Sequence, residues 1–122
     1  MKIERFEDIE GWQLGRELAA RIYNATNQMP FAQDFGLRDQ IRRASGSIMH
    51  NIAEGFDGGS NAEFIKFLRY AQRSASEVQS ELYVALDQNF VSEHEFEDLY
   101  NLAARAKARI GGFIAYLQRS ER

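Results

Sequence analysis

Apolar residues recur along this chain at helical spacing, and no stretch alternates in the way a half-buried strand requires. Leu14, Leu18, Ile22, Ala25 and Met29 form one stripe, with Trp12 and Ala19 beside it, so a first helix is predicted from about Glu7 to Gln28. Met29-Pro30 closes it, because the single proline cannot continue a helix. Asp34 suits the N-cap of a second helix running to about Glu54, after which Gly55, Gly58 and Gly59 disfavour continuation. Ser60-Asn61-Ala62-Glu63 and Ser92-Glu93-His94-Glu95 both fit the capping box and mark two further helix starts. Behind the first lie Phe64, Leu68, Ala71, Ala75, Val78, Leu82 and Ala85. Behind the second lie Phe96, Leu99, Ala103, Ala106, Ile110, Phe113 and Leu117, at the same alternating spacings of three and four. Acidic Glu93, Glu95, Glu97 and Asp98 open the last helix, while Arg119 and Arg122 close it, matching the helix dipole. Short connections favour antiparallel neighbours, so the expected fold is all-α, an antiparallel up-down-up-down four-helix bundle forming a single domain over residues 1–122.

The second helix carries more than a core stripe. At about 100° per residue, Gln40, Arg43, Ser47, Asn51 and Glu54 fall on one narrow arc beside Leu37, Ile41, Ala44, Ile48 and Ile52. Polar groups next to a core cost free energy unless they are hydrogen-bonded, so the arc implies a polar network or a surface that meets another molecule. Glu77 and Glu81 share a flank of the third helix, where Arg43 can reach one of them. The network expected from this placement joins Arg43, Asn51, Glu54, Ser74 and Glu77 and fixes helix register. Phe67, Tyr70, Tyr83, Tyr116 and Ile65 fit no seam and project to flanks, which fits either ordinary partial burial or self-association. The small seam residues and the Gly111-Gly112 pair also permit close helix approach.

Composition narrows the function. At 122 residues, 44% hydrophobic and 27% charged, the chain is an ordinary globular sequence, and it has no apolar run near the ~18 residues that span a bilayer. Acidic residues near the N-terminus oppose a secretory signal, so a cytoplasmic location is expected and the Asn24-Ala25-Thr26 sequon is chance. With no cysteine, disulfides and thiolate chemistry are excluded. His50 and His94 lack the Glu-x-x-His spacing of di-iron bundles, and His50 with Glu54 is a surface pair, so no metal or other cofactor is implied. No phosphate loop, dinucleotide fingerprint or nucleophile elbow occurs, and Ser47 has no histidine at a useful helical spacing, so an enzyme is not expected. A net charge of −3 opposes general polyanion binding. The dense basic positions are Arg42, Arg43, Arg105, Lys107 and Arg109, the candidate nucleic-acid contacts.

Several motifs together resemble a known family. They are Phe6-x-x-Ile9-x-x-Trp12-Gln13, Phe35-Gly36-Leu37, Gln40-Ile41-Arg42-Arg43-Ala44, Ser47-Ile48, Asn51-Ile52-Ala53-Glu54-Gly55, Glu63-Phe64-Ile65-x-Phe67-Leu68 and Ser74-x-x-Glu77. On these the chain resembles the bacterial 23S rRNA intervening-sequence proteins, four-helix bundles related to the accessory variability proteins of diversity-generating retroelements. The resemblance implies a small cytosolic bundle that assembles with itself, often as a homopentamer, with Gln40, Arg43, Ser47, Asn51, Glu54, Ser74 and Glu77 near the assembly surface. It assigns no activity. Retroelement relatives bind nucleic acid and are strongly basic, whereas this chain is acidic and carries Phe56-Asp57-Gly58-Gly59-Ser60-Asn61 where the family tends to place Arg and Lys; Arg73 stands where glycine is expected. Two functions therefore follow: an oligomeric scaffold or interaction protein with itself and a protein partner, or an accessory that binds RNA or DNA through a basic face of the ring.

Overall fold

The computed structural model describes residues 3–120. A short 3-10 turn at Phe6–Asp8 precedes helix α1 (Glu10–Thr26), and a second at Phe31–Gln33 precedes α2 (Phe35–Asp57). Helices α3 (Asn61–Asp87) and α4 (Glu93–Ser120) complete an all-α fold without strands among the described residues. The expected caps are in place: Asp34, Ser60 and Ser92 each accept a hydrogen bond from the backbone amide three residues on, at 3.0–3.1 Å. Arg122, expected at the end of the last helix, lies outside the described residues.

Two helix boundaries differ from the sequence expectation. The first helix begins at Glu10 rather than Glu7, because the Asp8 carboxylate accepts from the amides of Glu4 and Arg5 and closes a separate turn. Ile9 between them is extended and buried. Met29, counted in the first stripe, lies beyond the C-cap Asn27 and is 64% exposed. The second helix runs three residues past Glu54, and Gly55 lies inside it, buried. A Cβ there would stand 2.8 Å from the Phe67 Cβ and 2.9 Å from Phe64 Cδ1, so this glycine lets α2 and α3 touch rather than ending α2.

Cross-helix contacts fix the helix directions. Between α3 and α4, side chains of Asn61, Gln72 and Gln79 donate to the carbonyls of Leu117, Lys107 and Tyr100, so partner numbers fall as residue numbers rise. Gly11 approaches Ile52 and Gly15 approaches Ile48 between α1 and α2. Arg21 pairs with Asp98 and Glu10 with Arg109 between α1 and α4. Ser47 meets Ser74, and Gly55 meets Phe67, between α2 and α3. Each neighbouring pair is therefore antiparallel, and the four helices alternate around one core. Leu18, Ile22, Ile41, Ile48, Ile52, Leu68, Val78, Leu82 and Ile110 are buried almost completely, each contributing roughly 1.5–3 kcal/mol of hydrophobic stabilisation. At one end Phe31 stacks on Phe90, ring centroids 5.0 Å apart.

Candidate functional site

The polar arc of α2 faces α3 along the molecular surface. Ser47, Asn51 and Ser74 are half-buried, whereas Gln40, Arg43, Glu54 and Glu77 are exposed. At its centre the Ser47 hydroxyl accepts from the Asn51 amide and from the Ser74 hydroxyl, both at 2.9 Å. Asn51 also donates to the Ser47 carbonyl at 2.8 Å, which pins its amide along the helix. Three of the seven candidate residues thus form one bridge between α2 and α3.

Two turns along α3 from Ser74 the chemistry changes. Glu81 is buried, and its Oε1 has no hydrogen-bond partner among the described residues. Burial pushes its carboxyl up to about 7, the neighbouring Glu77 raises it by charge and by a hydrogen bond, and Arg43 draws it back down. Arg43 of α2 thus faces Glu81, but no ion pair within 4.0 Å joins them among the described residues. In the sequence Glu81 stands only as one of two possible partners of Arg43, outside the expected polar network. Its signal there is the i, i+4 spacing from Glu77, which places both carboxyls on the flank beside α2. Gln40 and Glu54 make no hydrogen bond or ion pair with a described residue, and they lie at the two ends of the arc.

The basic candidates occupy separate places. Arg42 donates from Nε to Thr26 Oγ1 at 2.8 Å and from Nη2 to Asn27 Oδ1 at 2.9 Å, with its guanidinium over the Tyr23 ring. It locks the end of α1 onto α2. Arg109 pairs with Glu10 of α1 at 3.5 Å, and Arg105 is exposed. Lys107 instead borders α3, where it shares a groove with Arg69 and Arg73. Arg69 and Arg73 carry no local motif, and only the packing of α3 on α4 brings them beside Lys107. Of the flank residues, Tyr70, Tyr83 and Tyr116 are exposed, and Phe67 and Ile65 are half-buried. Val84 joins the exposed set on α3.

Fold and face together define a small four-helix protein whose distinctive polar chemistry lies between two neighbouring helices. The chain belongs to the 23S rRNA-intervening sequence protein family, whose model matches residues 7–112. It is also similar to a crystal structure of a protein with unknown function from the S23 ribosomal protein family of Bacteroides thetaiotaomicron VPI-5482. That likeness has 25% sequence identity and a TM-score of 0.77, covering 85% of this chain and 97% of the other. No curated protein matches the chain. No helix among the described residues is long and apolar enough to cross a membrane.

Proposed function

We propose that the protein is a non-enzymatic interaction protein that acts as a closed homo-oligomer, a pentamer by analogy with its family, in the cytoplasm. The observation that carries this reading is the outer surface of α3. Tyr70, Tyr83 and Val84 are 38%, 50% and 46% exposed on this one helix, with Tyr70 against Phe67 and Tyr83 on the side of α4 against the Phe96 and Tyr100 rings. Large apolar side chains ringed by polar groups are the composition of a protein interface. The Ser47–Asn51–Ser74 bridge holds α2 and α3 in fixed register, so this surface is presented as one rigid unit.

The alternative, an accessory that binds RNA or DNA through Arg42, Arg43, Arg105, Lys107 and Arg109, has less support. Arg42 and Arg109 are engaged with α1, Arg43 faces Glu81, and only Lys107 joins other free cations. Light scattering tests the preferred reading, which requires a mass that is a fixed multiple of the 14.0 kDa protomer across a concentration series. Titration with labelled structured RNA on the same sample separates the two. Phosphate binding weakens steeply with salt, whereas assembly through apolar surface does not.

A further inference from the structure

The two flanks of α3 carry opposite charge. On the side of α4, Arg69, Arg73 and Lys107 line an open groove of about 340 Å³ with Gln72 and Ser76. None of these three cations forms an ion pair with a described residue. Arg73 lies over the Tyr70 ring, with its guanidinium carbon 5.9 Å from the centroid, so the two residues form the ridge between the flanks. On the side of α2, Glu77 and Glu81 stand one turn apart, Arg43 faces Glu81, and Arg73 lies one turn before Glu77 on α3 without forming an ion pair with it. Glu81 is only 9% exposed and has a buried, unpartnered oxygen, a costly arrangement for a protomer on its own.

We propose that the Glu77–Glu81 flank of one copy seats the Arg69–Arg73–Lys107 groove of a second copy. Glu77 is exposed and is the carboxylate an incoming guanidinium reaches; Glu81 stands behind it and gains from the same positive field. The exposed ring of Tyr70 on the ridge adds apolar surface to the contact. Because the donating and accepting surfaces differ, the contact is head-to-tail. Each copy then offers one flank and fills another, which generates a ring when the rotation closes. Opposite charges at such a contact set its register and orientation more than its strength. The inference rests on the assembly reading and adds to it which surfaces meet.

The test is the mass of Glu77→Arg, Arg73→Glu and doubly substituted Glu77→Arg/Arg73→Glu proteins by light scattering at moderate salt. Each single reversal sets like charges against each other in every contact, so each alone should dissociate at about tenfold or more higher concentration than wild type. The double reversal sets a flank made basic against a groove made more acidic in every contact, whatever the number of copies in the ring. It should therefore restore the oligomer, and recovery also shows that both substitutions leave the chain folded. A wild-type protein that is monomeric throughout would remove the assembly reading and this contact with it. An oligomeric wild type whose single variants keep their mass, or whose double variant stays dissociated while circular dichroism shows it folded, would overturn the contact alone. Salt-sensitive RNA binding lost in Arg73→Glu with the mass unchanged would assign the groove to nucleic acid and also overturn it.

Discussion

Ser74 on α3 donates to the Ser47 hydroxyl on α2 at 2.9 Å, the one side-chain hydrogen bond that joins these two helices among the described residues. Ser47 is the hub, since Asn51 donates to the same oxygen.

Removing the hub should therefore cost more than removing a spoke. Ser47→Ala leaves the half-buried Ser74 hydroxyl without its acceptor and Asn51 with only the backbone carbonyl of residue 47, and is expected to destabilise by about 1–3 kcal/mol, against about 0.5–1.5 kcal/mol for Ser74→Ala. Urea unfolding of the two variants checks this, and equal costs would show that Ser47 does not act as a shared acceptor.

Gly55 and Gly112 are both helical glycines, yet they should respond oppositely to alanine. A Cβ at Gly55 runs into Phe67 and Phe64, an overpacking cost of about 1–3 kcal/mol that outweighs the ~1 kcal/mol gain in helix propensity. Gly112 has nothing within 4 Å of the added carbon, so Gly112→Ala should stabilise by about 0.5–1 kcal/mol. Thermal unfolding should move down for the first and up for the second.

This contrast marks what the sequence made legible. Periodicity located all four helices and most core positions, because burial of one face leaves a direct trace at spacings of three and four, but on α4 it took the half-buried Phe96 and Phe113 for seam residues and missed the buried Leu102 and Ile114. Gly55 was misread because its local signal, a helix end, is identical to the signal of a close approach; only the position of Phe67, twelve residues on, separates the two. The site was legible in the same uneven way. Ser47 and Asn51 share the arc read from the helical wheel, whereas the meeting of Ser47 with Ser74, the burial of Glu81 and the meeting of Lys107 with Arg69 and Arg73 depend on how α3 sits between its neighbours.

Glu81 predicts a pH dependence. Its carboxyl titrates at about 7 in the folded chain, against about 4.5 ordinarily, so between those values the folded state holds a proton that the unfolded state has released. Stability from this group is then greatest below pH 4.5 and falls as pH rises toward 7, by on the order of 2–3 kcal/mol. Glu81→Gln cannot titrate, so its stability relative to wild type should improve from pH 5 to pH 8 under dilution that separates the protomers. Parallel pH profiles for the two proteins would exclude a raised Glu81.

Arg42 should act on stability rather than on binding. Its guanidinium reaches Thr26 and Asn27 together while covering Tyr23, a geometry that an ammonium cannot reproduce. Arg42→Ala is expected to cost about 1–2 kcal/mol and Arg42→Lys to recover only part of it. Denaturant titration measures both, and full recovery by lysine would leave charge alone as its contribution.

Assembly is tested most directly by the solution mass of the wild-type protein, measured by light scattering over a wide concentration range. A closed oligomer is expected, a constant whole multiple of the 14.0 kDa protomer. A protein that stays at the protomer mass at every concentration would contradict it.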